Sequence, residues 1–202
     1  MDTDLDQIAA ALRPSVVQVL PGSSGGAGVV LSRGADLVIV TNAHVARGSA
    51  GDRIRITSHR RTSYHATIEL TDPRRDLALL ALDSASAGDL SPATLDDTAG
   101  LRPGQLVLAI GHPFGLTNAV TAGIVHAVGQ IHGAWEPAPR SRRLSWIQAD
   151  IMLAPGNSGG PLLDIEGRVI GINTMVAGGL ALAVPVPDIR ALLQARGEAI
   201  PA

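Results

Sequence analysis

Ser158 stands in Pro155-Gly156-Asn157-Ser158-Gly159-Gly160-Pro161, where glycine and proline frame one hydroxyl. Glycine lets a backbone come close to a substrate carbonyl, or take φ > 0, without strain. A hydroxyl held on such a turn, with backbone N–H groups beside it, suits acyl transfer. The oxygen attacks a carbonyl carbon, and the amides take up the charge that develops on the carbonyl oxygen. A plain glycine-rich turn between strands has the same composition, so partners elsewhere in the chain must decide.

All six histidines, His44, His59, His65, His112, His126 and His132, precede Ser158. Gly156-Asn157-Ser158-Gly159-Gly160 also fits the nucleophile elbow of the α/β-hydrolases, whose histidine follows the serine, and that order is excluded here. The order His, Asp, Ser stays open. His44 directly follows the apolar run Ile39-Val40-Thr41-Asn42-Ala43, and Asp76 opens Leu77-Ala78-Leu79-Leu80-Ala81-Leu82. A histidine at a strand end is more often a surface residue, and an aspartate there often only ends the strand. Their position ahead of Ser158 favours a catalytic reading, in which the histidine carries the serine's proton to the leaving group and the aspartate fixes its tautomer. Asp72 is a local rival, but Asp72-Pro73 reads as turn chemistry. Ser23-Ser24-Gly25-Gly26 precedes every histidine and reads as a hairpin loop.

Composition narrows the field. Of 202 residues, 46% are hydrophobic and 2% aromatic, so Val, Leu, Ile and Ala must fill the core. A net charge of −2 gives no basic field for nucleic acid. Absence of cysteine excludes disulfides, thiolate metal sites and a cysteine nucleophile. Neither His59 with His65 nor His126 with His132 has the spacing of a helical zinc pair, so no metal and no cofactor is expected. The acidic start Met1-Asp2-Thr3-Asp4 is unlike a signal peptide, and no stretch reaches the length of a membrane span. That points to the cytoplasm for the chain as it stands, or to the periplasm if a leader or anchor has been removed.

The rest of the chain must position these groups. Leu5, Ile8, Ala9 and Leu12 predict a short helix, capped by Thr3 with Asp6 and stopped by Pro14. Strands are predicted at Val16–Leu20, Val29–Leu31, Leu37–Thr41, Arg53–Thr57, His65–Leu70 and Leu77–Leu82. An aperiodic connection, Asp83 to Gly104, separates these from Gln105–Ile110, Ala119–Val128, Leu144–Ala149, Pro161–Asp164, Arg168–Thr174 and Ala181–Val184. Pro21–Gly28 reads as turn, Gly111-His112-Pro113-Phe114-Gly115 as a turn with Phe114 buried, and Arg140-Ser141-Arg142-Arg143 as an exposed loop. Pro187 opens a closing helix through Ile189, Leu192 and Leu193. The fold class expected is all-β: two six-stranded antiparallel barrels over about 14–95 and 101–186, with short terminal helices, forming one domain over 1–202.

At this point the sequence resembles the chymotrypsin-fold serine proteases, in particular the bacterial HtrA/Deg group. The resemblance runs from Leu12 to about Leu193 and rests on Thr41-Asn42-Ala43-His44-Val45, Asp72-Pro73-Arg74-Arg75-Asp76-Leu77-Ala78, Ala109-Ile110-Gly111-His112-Pro113-Phe114-Gly115-Leu116, Val120-Thr121-Ala122-Gly123-Ile124-Val125, the Ser158 stretch, Gly171-Ile172-Asn173-Thr174 and Leu182-Ala183-Val184-Pro185. It implies a triad of His44, Asp76 and Ser158, an oxyanion hole of the Gly156, Asn157 and Ser158 amides, and an unfolded or flexible polypeptide as substrate in protein quality control. Family members usually carry PDZ domains after the protease, and this chain stops at Ala202, so control without a PDZ domain is expected. The trimers of the family use aromatic residues near the N-terminus, and none precedes Tyr64, so a monomer is expected. The layout implies a specificity pocket from Met152, Leu153, Ala154, Ile172, Asn173, Thr174 and Ala181, with the strand continuing to Met175. Met152 stands where trypsin-like enzymes carry an acid, so cleavage after Val, Ala, Leu or Ile is expected over Arg or Lys, whose buried charge would lack a partner. The rival reading is a catalytically silent binding or chaperone-like module on the same fold, and an esterase is a weaker one.

Overall fold

The computed structural model describes residues 4–22, 25–83, 88–96, 100–130 and 144–195. His132 and the basic run 140–143 lie outside these, as do Thr3 and part of the connection 83–104. Helix α1 (Leu5–Leu12) opens the chain with Asp4 at its N-cap, and Pro14 turns it into a 3-10 turn, Arg13–Ser15. Six strands follow: β1 (Val16–Leu20), β2 (Gly26–Arg33), β3 (Asp36–Thr41), β4 (Arg53–Thr57), β5 (Ser63–Asp72) and β6 (Leu77–Leu82), with the one-turn helix α2 (Ala43–Ala46) between β3 and β4. They close antiparallel in the order β1-β2-β3-β6-β5-β4.

The second set is β7 (Leu106–Gly111), β8 (Ala119–Gln130), β9 (Ser145–Asp150), β10 (Pro161–Leu163), β11 (Val169–Ala177) and β12 (Leu180–Pro185), followed by α3 (Val186–Gln194). It closes as β10-β11-β12-β9-β8-β7, the same cyclic order as in the first barrel. Closure leaves no sheet edge unpaired in either barrel. The two six-stranded barrels and the short terminal helices are as expected.

Two differences concern glycine and proline signals. The stretch Pro21–Gly28 reads as turn, yet β2 begins at Gly26. Glycine serves there for contact between the barrels: a Cβ on Gly26 would lie 2.6 Å from the Ser158 carbonyl oxygen. The Pro113–Gly115 turn is present, but Phe114 is 79% exposed at φ 52, and the buried side chain is that of His112.

The core has three parts. Val17, Val30, Ile39, Ile56, Ile68 and Leu80 fill the first barrel, and Val107, Ile147, Leu162 and Ile170 fill the second. A third cluster joins them, with Val29, Val40 and Leu79 meeting Leu108, Leu163 and Val184, and α3 adding Ile189 and Leu192. The described part of the connection is docked: Ser91 N–H donates to Pro14 O at 3.2 Å, Ala93 N–H to Val30 O at 2.9 Å, and Leu95 bridges Val169. The seam between the barrels is thereby apolar and braced, and groups placed on either side of it keep their separation.

Candidate active site

His44 comes from α2, at the end of β3. Asn42 occupies the N-cap, but its side chain does not cap the helix; its Nδ2 donates to the Asp76 carbonyl at 2.9 Å. Arg47 ends the turn in a left-handed conformation, φ 49. Asp76 lies in the tight connection between β5 and β6, also left-handed at φ 54. The turn before it is shaped by Asp72, which is fully buried and accepts the Arg74 and Arg75 amides at 3.1 and 3.2 Å. Arg75 bridges Asp72 at 2.5 Å and Asp188 of α3 at 2.7 Å, tying the closing helix to this turn. Asp72 is thus structural, as its proline neighbour suggests.

His44 and Asp76 meet side by side. The ring Nδ1 lies 2.7 Å from Asp76 Oδ2, and the His44 amide donates to Oδ1 at 3.0 Å. An ionised carboxylate only accepts, so Nδ1 carries the proton and Nε2 presents a lone pair. The Thr174 hydroxyl, from β11, also donates to Asp76 Oδ2. Asp76 therefore takes donors from both barrels.

Ser158 sits on the turn before β10, and its backbone is anchored across the seam. Its carbonyl accepts from Ala27 N at 2.8 Å, and Thr41 Oγ1 donates to Ala27 O at 2.7 Å. Pro155 and Gly156 occupy the corners of a turn closed by Asn157 N–H to Ala154 O at 3.0 Å. Proline followed by a glycine at φ 108 is the type II pattern. A side chain on Gly156 would collide with the His112 carbonyl. The neighbouring turn clamps this one: His112 N–H donates to Gly156 O at 3.1 Å and Phe114 N–H to Pro155 O at 3.2 Å. The Asn157 amide is spent inside the turn, while those of Gly156 and Ser158 donate to no backbone carbonyl among the described residues. Of the three amides expected in an oxyanion hole, that of Asn157 is thus engaged inside the turn.

The Ser158 hydroxyl donates to Thr174 O at 2.9 Å, not to His44. Both side chains nonetheless line one cavity of about 380 Å³. Its second-barrel wall is Leu153, Ala154, Pro155, Thr174, Met175 and Val176, and its first-barrel wall is Gly25, Val45 and Arg47. Of the expected pocket residues, Leu153, Ala154 and Thr174 line it. Met152 is 81% exposed and does not line it. Ile172, Asn173 and Ala181 are buried inside the barrel or at the seam, Asn173 donating to Pro161 O at 2.8 Å. The cause is a bulge in β11 between Asn173 and Met175, which shifts the alternation and presents Met175 and Val176 instead. Asn42, Arg47 and Val176 are site residues that sequence reasoning did not assign. Adjacency to His44 was an available signal for the first two.

His112 lies under the Gly156 turn. Burial pushes its imidazole down to about 4, against the pull of the Val17 carbonyl. Its Nδ1 accepts from Asn118 N at 3.3 Å, and Nε2 has no partner among the described residues. Among the described residues no group of His, Cys, Asp and Glu is arranged to hold a metal ion, and no helix is long and apolar enough to cross a membrane.

The family profile of the trypsin-like peptidase domain matches residues 26–172. The serine protease HTRA1B of Danio rerio is 40% identical over 182 residues, which cover 87% of this chain and 37% of that protein. A probable periplasmic serine endoprotease of the DegP-like type from Marinomonas sp. is 43% identical over 154 residues, covering 76% of this chain and 30% of its own. The chain thus spans about a third of the length of these curated relatives. Among solved structures, the HtrA-type protease AlgW with a decapeptide superposes with a TM-score of 0.79 at 28% identity, over 95% of this chain and 66% of that one.

Proposed function

Because the chain belongs to the trypsin-like peptidase family, in its HtrA-type branch, we propose that it is a serine endopeptidase acting on unfolded or flexible polypeptide, with Ser158 as nucleophile, His44 as general base and acid, and Asp76 as the group that orients His44. The observation that carries this reading is the 2.7 Å contact of His44 Nδ1 with Asp76, on a ring that shares one cavity with Ser158. The reading requires the Ser158 hydroxyl to leave the Thr174 carbonyl and reach the lone pair of His44 Nε2, and a change of its χ1 well is the motion assigned to that step. Oγ attacks the scissile carbonyl as its proton passes to Nε2, and Asp76 stabilises the imidazolium. The Gly156 and Ser158 amides receive the oxyanion. The imidazolium then protonates the leaving amine, and water repeats the sequence in reverse on the acyl-enzyme.

The cavity's second-barrel wall offers aliphatic contact and no carboxylate, which supports P1 residues such as Val, Ala, Leu or Ile. Apolar burial there gains about 25 cal/mol per Å², and a lysine or arginine would find no counter-charge. The first-turn residues of α1 include no aromatic anchor, and a monomer remains our reading of the oligomeric state. A silent or latent module is the second reading, favoured by the bond that holds the Ser158 hydroxyl on Thr174 O. Casein hydrolysis separates the two. Wild type should digest it and Ser158→Ala should not; activity retained in Ser158→Ala contradicts the assignment, and an inert wild type favours the module.

A further inference from the structure

We propose that Arg47 forms a carboxylate-selective subsite for the leaving-group side of the substrate, an inference that rests on the proposed peptidase reading. Arg47 lines the same cavity as His44 and Ser158, three residues beyond the histidine. Its left-handed backbone, φ 49, ends the α2 turn, and its Nε donates to His44 O at 3.3 Å, which ties the guanidinium to the backbone of His44 at the cavity wall. No carboxylate pairs with it among the described residues, whereas Arg33, Arg53, Arg75 and Arg168 each meet at least one. His44 and Arg47 are the ionisable side chains of the cavity lining. Asp76 takes the far side of His44 and the Thr174 hydroxyl, so its charge is already engaged.

The side of the scissile bond follows from proton transfer. The imidazolium must face the leaving nitrogen to protonate it. Leu153 to Gly156 and Thr174 to Val176 line the cavity with Ser158 from the second barrel, and Gly25, Val45 and Arg47 line it with His44 from the first; the departing peptide, which must meet the imidazolium, is therefore assigned to the first-barrel wall. An arginine fork there recognises a carboxylate by paired N–H donors. The carboxylate can come from Asp or Glu at the first or second position after the cut, or from a chain end at that distance.

Internally quenched peptides sharing one aliphatic P1 residue test this, with Glu, Gln or Lys placed at P1′ and, in a second set, at P2′. A third set ends at P2′ as the free acid or the amide. Wild type should favour Glu over Gln in the first two sets, or the acid over the amide in the third, by roughly two- to fivefold in kcat/KM, the size of an exposed ion pair. The preference should fade in 0.5 M NaCl, with the Debye length falling to about 4 Å. Arg47→Gln should bring the ratio to about one, and Arg47→Glu should reverse it towards Lys. Equal turnover of all peptides by an active wild type, or an unchanged ratio in Arg47→Gln, overturns the subsite. Failure of the wild type to cut any peptide or casein would instead overturn the peptidase reading on which it rests.

Discussion

The two barrels contribute to the site in different ways. The first holds His44 and Asp76 by side-chain bonds: Asn42 to the Asp76 carbonyl, the His44 amide to Oδ1, and a partly buried ion triad of Asp72, Arg75 and Asp188 behind the turn. The second presents Ser158 on a backbone turn, whose shape depends on Gly156 and on hydrogen bonds from the His112 turn beside it. Side-chain bracing fixes the orientation of a ring. Backbone bracing aims amides. The difference leads us to expect that the proposed acid–base half tolerates backbone variation better than the proposed nucleophile half, where one carbon added at Gly156 would meet the His112 carbonyl.

The most severe way to break this contrast is Gly156→Ala. The new Cβ collides with the His112 carbonyl, and φ 108 suits glycine alone. Casein hydrolysis should fall on the order of 10²–10³-fold, the cost of losing one oxyanion donor. Loss under tenfold would mean that the turn is not aimed by glycine.

Acid separates the barrels by pH window. With His112 at about 4 in the fold and about 6.5 unfolded, the unfolded chain binds the proton first. Its stabilising contribution is therefore full above about 6.5 and lost as pH falls to about 4, roughly 3 kcal/mol in all. In the first barrel, Arg53 and Thr67 hold the Asp83 carboxyl below its usual range, and Ser58 and Tyr64 do so for Asp89 against the effect of its burial. Those groups contribute above the unfolded value and lose that contribution only below about pH 4. Urea unfolding at pH 7 and 4.5 should show the drop in wild type and a much smaller one in His112→Gln. Equal drops would assign the acid sensitivity elsewhere.

The smallest effect probes the link between the halves. Thr174→Val keeps volume but removes the second-barrel donor to Asp76. It should cost about 1 kcal/mol in kcat/KM, the worth of one hydrogen bond. No change would mean that the first barrel orients Asp76 by itself.

Much of this was legible in the sequence. β1, β4 and β6 fall where apolar runs bounded by turn residues put them, and of the three residues that chain order singles out, His44 touches Asp76 and lines one cavity with Ser158. Facing was harder to read. From Val169 to Thr174, β11 is buried on both sides, one towards the barrel interior and one towards the seam, so alternation carries no direction. The family layout put Ile172 and Asn173 in the expected pocket; both are buried, and beyond the register shift after Asn173 it is Met175 and Val176 that line the cavity. Phe114 failed for another reason: its left-handed backbone, φ 52, turns an aromatic side chain outward, a choice the turn makes and hydrophobicity does not.

The central claim is that Ser158 is the activated nucleophile, and a fluorophosphonate that labels activated serines tests it most directly. Intact-mass spectrometry of the treated wild-type protein should show one adduct, mapped by peptide sequencing to Ser158, and His44→Ala should suppress it. An adduct on another serine, or none on protein that digests casein, would contradict the account.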